Sequence, residues 1–265
     1  MPAAWIQSYG VSDPSSTYTA LVAATGDSLT VPNFPLTNRA WLQSMDRIDA
    51  TKGVFRVRSP KLHDNVKGIH IATSENPTIF ALPLQMSQQL YPQDLLIVEA
   101  TGSASTFDIV TLGMYFENLP GVSQRLHSWG DISGIIEYID TVEIAVTNSG
   151  TANVWTDTLL TTTDNLLRAN TDYAILGYAT DLLCGAVAFK GPDTSSVRVG
   201  GPGKVGHEFT DNYFVKLSND TGRPNIPVFN SANAGASYVS TIDITASSTP
   251  NITLILAMLS QNLPN

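Results

Sequence analysis

The sequence predicts an all-β protein built from two tandem, internally duplicated β-sandwich domains, and three observations carry that reading. The chain repeats itself at long range: residues 38–60 (NRAWLQSMDRIDATKGVFRVRSP) and 170–192 (NTDYAILGYATDLLCGAVAFKGP) align without a gap at a constant offset of 132. Short runs rich in β-branched and aromatic residues recur along both halves, punctuated by Gly-Asp, Ser-Pro, Asn-Pro and Gly-Pro turn signals. Sustained helical periodicity is scarce.

The repeat pairs Asn38 with Asn170, Trp41 with Tyr173, Asp49 with Asp181, Gly53 with Gly185, Arg58 with Lys190 and Pro60 with Pro192. The flanks extend it. Ser8-Tyr9-Gly10 answers Ser128-Trp129-Gly130, Val22–Gly26 (VAATG) answers 146–150 (VTNSG), Phe80 answers Phe214, and Asn118-Leu119-Pro120 answers Asn262-Leu263-Pro264. The period is too long for a solenoid, so each copy is expected to be a whole domain, 1–120 and 121–265. At 265 residues each half is long enough to close its own core. The offset grows toward the C-terminus, which predicts longer loops in the second copy, at 191–211 and 219–237.

In chain order the first copy is expected to form strands at 17–24, 53–58, 68–72, 78–84, 95–100 and 107–116. The second is expected to form them at 141–147, 173–178, 185–190, 196–199, 213–217, 238–245 and 252–259. The last strand of each copy is apolar throughout and suits a central position. Single helical turns are expected at 85–90 and 163–168, the latter capped by Thr163 or Asp164. Residues 121–140 contain Leu126, Trp129, Ile132, Ile135, Ile136 and Tyr138, too apolar for a flexible linker, so the halves are expected to be held together rigidly.

Charge and chemistry narrow the function. Only 14% of the residues are charged, and the net charge of −9 argues against nucleic acid as a direct ligand. The N-terminus lacks a basic and apolar leader, and no apolar run is long enough to span a membrane. The single Cys184 lies in an apolar stretch and reads as a small core residue. The four histidines (His63, His70, His127, His207) form no metal-binding spacing. The 198–205 run (RVGGPGKV) fails the phosphate-loop pattern at both its first glycine and the residue after Lys204, and reads as a loop between strands. The carboxylates Asp46, Asp49, Asp64, Asp94, Asp108, Asp181, Asp193, Asp211, Asp220 and Asp243 sit beside turns, and no acid/base pair is apparent. Trp5, Trp41, Trp129, Trp155, Tyr9 and Tyr173 read as core. No catalytic, cofactor-binding or metal-binding residue is therefore nominated, and no cofactor is expected.

Tandem β-domains of about 120–145 residues covering the whole chain, with short loops, resemble the double jelly-roll major capsid proteins of icosahedral viruses, in particular those of small tailless, membrane-containing phages. In that family the two barrels usually share little sequence, whereas here the repeat is legible. The resemblance implies a virion protein without enzymatic activity, self-associating as homotrimers in a larger shell alongside other virion proteins. A tandem carbohydrate-binding or adhesin-like module, and a filament or surface-layer subunit, are the alternatives that composition leaves open.

Overall fold

The computed structural model describes residues 1–12, 16–48, 53–61, 66–73, 88–102, 107–146, 151–160, 167–182, 184–203, 210–243 and 249–264. The first part of the chain supplies β1 (Ala3–Ser12), β2 (Thr19–Ala20), β3 (Val22–Ala23), β4 (Ala40–Ile48), β5 (Gly53–Arg58), β6 (Ile69–Thr73), β7 (Gln88–Leu90), β8 (Ile97–Ala100) and β9 (Phe107–Phe116). They form two antiparallel sheets, ordered β3-β1-β9-β4-β7 and β2-β8-β5-β6. The second part supplies β10 (Leu126–His127), helix α1 (Trp129–Ile132), β11 (Ile136–Ala145), β12 (Trp155–Leu159), β13 (Asp172–Thr180), β14 (Ala186–Lys190), β15 (Val199–Pro202), helix α2 (Tyr213–Thr221), β16 (Ile226–Asn230), β17 (Tyr238–Ile242) and β18 (Asn251–Leu259). Their sheets are ordered β10-β16-β13-β18-β11 and β12-β17-β14-β15. None of the four sheets mixes strands from the two parts.

Setting aside the short β3 and β10, the two orders correspond strand for strand: β1-β9-β4-β7 with β11-β18-β13-β16, and β2-β8-β5-β6 with β12-β17-β14-β15. Register corresponds as well. Ala40 faces Leu90 as Asp172 faces Asn230, and Val57 faces Ile69 and Val98 as Phe189 faces Val199 and Val239. A bulge interrupts β4 against β9 between Leu42 and Ser44, and β13 against β18 between Ile175 and Gly177. Beyond the last strand of each half, an asparagine pair ties the exit to the strand entrance. Asn38 Nδ2 donates to the Asn118 carbonyl at 3.4 Å, and Asn262 Nδ2 donates to the Asn170 carbonyl at 3.1 Å.

Each half closes its own core. Tyr9, Leu42, Met45, Phe55, Val57, Val98, Leu112 and Phe116 fill the first; Tyr173, Ile175, Tyr178, Phe189, Phe214, Phe229, Leu254 and Leu256 fill the second. β13 is buried along its whole length, so its apolar run packs on both faces.

Several sequence expectations are corrected. Ser8–Gly10 lies in β1, whereas Ser128 caps helix α1, where Ser128 Oγ and the Asp131 carboxylate form a capping box; those two triplets are not equivalent. Residues 213–217 form helix rather than strand. Tyr213, Phe214, Leu217 and Ser218 share one buried face, and Gly222 stops the helix at φ 58°, a left-handed conformation that glycine adopts without strain. Residues 226–230, expected to be loop, are buried core strand β16. The offset between halves is 130 at Ile69/Val199 and 140 at Leu90/Asn230, so the second half is longer between β15 and β16, the stretch that contains α2. Residues 88–90, expected to be helical, are strand β7. Strands β1, β4 and β12 were not expected at all, and β11 begins at Ile136, inside the segment read as a connection. The expected elements at 78–84 and 163–166, and the repeat partners Asp49, Phe80 and 147–150, lie outside the described residues.

Inside the first half, Arg47 on β4 donates to Asp108 Oδ2 on β9 at 2.7 Å, with both side chains fully buried. Removing one member leaves a buried charge, which costs about 3–5 kcal/mol, whereas replacing both by apolar groups is close to neutral. Arg47→Met should therefore lower the unfolding free energy by about 3–5 kcal/mol in chemical denaturation. The double variant Arg47→Met/Asp108→Leu should recover most of that loss.

Candidate functional site

The most elaborate polar arrangement is the seam where the second half covers the first. β1 lies at one side of its sheet, and β3 pairs with it only at Tyr9 and Gly10. An exposed strand edge carries a row of unsatisfied backbone donors and acceptors. Here that row is closed by other parts of the chain. The Ala4 N–H donates to Gln124 Oε1 at 2.7 Å and Gln124 Nε2 returns a bond to the Ala4 carbonyl at 3.0 Å. The Ile6 N–H donates to the Arg198 carbonyl at 3.0 Å, and the Ser8 N–H to Asp27 Oδ2 at 2.8 Å. Residues 4, 6 and 8 are the outward-facing set that a strand's two-residue period dictates.

Side chains continue the seam. Trp155 Nε1 donates to the same Asp27 oxygen at 2.8 Å, and the Arg198 guanidinium lies 4.7 Å from the Trp155 ring centre. Arg198 and Lys190 both pair with Asp157, which also accepts from Ser240 Oγ at 2.5 Å. Farther along, Gln43 Nε2 donates to Asn225 Oδ1 at 2.7 Å, Tyr213 hydroxyl meets Ser44 Oγ at 3.3 Å, and Arg223 lies 4.0 Å over the Trp41 ring. Beneath them Ile6, Ala24 and Ile109 of the first half pack with Trp155, Ala186, Ala188 and Ile242 of the second. Gly185 is required there, because a Cβ at that position would collide with Ile109.

The electrostatics fit a structural joint. Burial pushes the Asp27 carboxyl up to about 6, only partly offset by the bond from Trp155. Asp157, although burial opposes it, is held below the ordinary carboxylate range by Lys190, Ser240 and Arg198. Cys184 is buried, and burial pushes its thiol up to about 12, which leaves it protonated and unreactive.

Several of the residues weighed in the sequence take structural roles, while Asp49, His63, Asp64, Lys204 and His207 lie outside the described residues. Asp181 accepts the Asn251 N–H at 2.7 Å and its amide at 2.9 Å; Asp94 accepts from Ser59, and Asp193 from the Asn230 N–H at 3.2 Å and Asn233 at 2.8 Å. Tyr9, Tyr173 and Trp155 are buried and Trp5, Trp41 and Trp129 half-buried, so these six do not form an exposed stacking platform. Tyr18 and His70 meet at 2.9 Å on the surface of the first half. The glycine-rich run contains β15, three residues later than the strand expected at 196–199. Among the described residues no group of three His, Cys, Asp or Glu side chains could hold a metal ion, and no helix is long and apolar enough to cross a membrane. The roles of Asp27, Gln124 and Arg198 were not legible in the sequence, because each is made by contacts spanning 19 to 192 residues. The one available signal was the cluster of buried-type polar residues in β1, Gln7 and Ser8. No protein-family model matches the chain, and no curated protein is significantly similar to it.

Asp27 supplies a pH test of the seam. An acid whose folded pKa is raised favours the folded state while protonated, so its contribution is complete below about 3.8 and fades as pH rises through about 6. Asn can accept both bonds that converge on Asp27 Oδ2. Asp27→Asn should therefore be at least as stable as wild type at neutral pH, and the difference between the two melting curves should shrink steadily from about pH 6 down to about pH 4.

Proposed function

We propose that the chain is a structural, shell-forming subunit of the double jelly-roll type, two copies of one jelly-roll domain acting as a major capsid protein. The observation that carries this reading is the coincidence of strand orders. Each half reads first-eighth-third-sixth in one sheet and second-seventh-fourth-fifth in the other, counting its eight principal strands. That order is the double-sheet, double Greek-key arrangement of a jelly roll. The matching registers, and a bulge in the same strand pair of each half one residue apart, support descent of the two halves from one domain. The extra length between β15 and β16 is then a departure acquired by the second copy.

Two fused wedges locked by a polar and apolar seam make a rigid tile. Three such chains around a three-fold axis present six similar domains, a pseudo-hexagonal unit able to pave an icosahedral shell with nearly equivalent contacts. Large apolar residues left on the surface, Leu36 at 80%, Val66 at 74% and Val22 at 65% exposure, are candidates for burial between subunits. On this reading the protein resides in the virion, has no enzymatic activity, and contacts copies of itself and other virion proteins.

Mass photometry with negative-stain imaging of the purified protein tests the reading. Homotrimers and shells are the expected outcome, weakening only modestly between low and physiological salt because the contacts are largely neutral. Monodisperse monomers at high concentration would count against it and favour a tandem binding module; filaments would favour a lattice subunit.

A further inference from the structure

The two halves treat the same strand edge in opposite ways. β1 and β11 hold corresponding places beside β9 and β18. Matching Tyr115 to Met258 through their shared partner positions Trp41 and Tyr173 places Tyr138 where Ala4 stands, and Asp140 where Ile6 stands. In β1, Ala4, Ile6 and Ser8 are buried and their outward N–H groups are satisfied across the seam. In β11 the outer side of the strand borders no other strand among the described residues. Glu137, Tyr138, Ile139, Thr141, Glu143 and Ala145 are exposed there, Tyr138 at 49% and Ile139 at 47%. A ten-residue edge strand bearing two adjacent exposed apolar side chains is a template for another chain.

Within the chain, the edge of β1 is covered by the segment entering β15, through the Arg198 carbonyl. The first-half counterpart of that segment is the entry to β6: Phe189 faces Val199 as Val57 faces Ile69, so Gly68 stands where Arg198 stands. We infer that the β11 edge of one chain docks on the entry to β6, residues 66–70, in the first half of a second copy, repeating between chains the seam that joins the halves within one. Chemistry on the two sides is complementary. The β11 side offers the Tyr138 and Ile139 side chains flanked by Glu137 and Glu143; the β6 side offers the exposed Val66 beside the exposed Lys67 and His70. The inference rests on the shell-subunit reading, in which each chain is both donor and acceptor of the same heterologous contact and three-fold rotation closes it into a ring.

Cysteine cross-linking tests it. Asp140→Cys and Lys67→Cys, each at a position that is not buried, are combined in one chain and oxidised; the native Cys184 is buried and will not compete. Chain-to-chain disulfides are expected in the double variant and none at this junction in either single variant. In parallel, Ile139→Arg should keep the circular-dichroism melting curve of wild type yet fail to assemble at concentrations where wild type is fully oligomeric. If wild type assembles while the double variant does not cross-link and Ile139→Arg assembles unchanged, the docking inference is overturned and the shell reading stands. If wild type remains monomeric, both are overturned.

Discussion

A sheet edge as polar as β1 folds stably only if its backbone is hydrogen-bonded, and the rest of the molecule is arranged around meeting that requirement. Its outward N–H groups reach Gln124, Arg198 and Asp27, which lie just before β10, at the entry to β15, and in the loop after β3. Leaving even one such donor buried and unsatisfied costs on the order of 1–3 kcal/mol, so the second half acts as part of the first half's sheet. The interlocked packing of Ile109 against the bare Gly185 backbone fixes the halves at close approach. A hinge between them would break hydrogen bonds, the Arg223–Trp41 cation–π contact and apolar contacts together.

With so few charges on the chain, those present are concentrated where they hold elements. Arg125 grips Asp172 through both carboxylate oxygens and donates to the Leu263 carbonyl at 2.8 Å, while the Leu263 N–H returns to Asp172 at 2.8 Å. That network ties the chain's exit to the entrance of β13. In the first half Glu99 is shared by Arg56 and Arg58, which hold its carboxyl below the ordinary range. Such bidentate guanidinium contacts are directional, and the Arg58–Glu99 one connects the neighbouring strands β5 and β8. Stability here comes from apolar burial, and the ion pairs serve geometry.

The sequence made legible what depends on local pattern. The ungapped repeat covers β4 through β5 and β13 through β14, one strand from each of the two sheets of each half, where an insertion within a strand would turn its side chains to the wrong face. The apolar β9 and β18 are central strands, and the Asn38–Asn118 and Asn170–Asn262 links occupy matching places in both halves. What stayed hidden depends on tertiary context. β1 contains Gln7 and Ser8, polar residues that tertiary packing buries, Gln7 accepting a bond from the Tyr9 hydroxyl at 2.7 Å. Residues 213–217 are a short apolar run whose period does not distinguish helix from strand. β16 carries Pro227, which argues against a strand by its missing N–H, yet its partner β10 is only two residues long and leaves little ladder to disrupt. The first part of β11 reads as connection for the same reason, because its residues 136–140 lack the alternation that burial imposes.

If both halves descend from one domain, the ancestral unit had to satisfy the same edge by meeting another copy of itself. Fusion then converted one such contact into a covalently guaranteed one, where high local concentration makes even a modest interface permanent. Only that contact was free to acquire the chain-specific partners Gln124 and Asp27–Trp155. The other, at β11, would remain intermolecular and so had to stay soluble in the isolated subunit. The exposed carboxylate Glu143 would serve this, since charges on an edge strand deter indiscriminate strand addition. The difference in burial between two strands of equal topology is thus the expected mark of one interface that has become internal and one that has not.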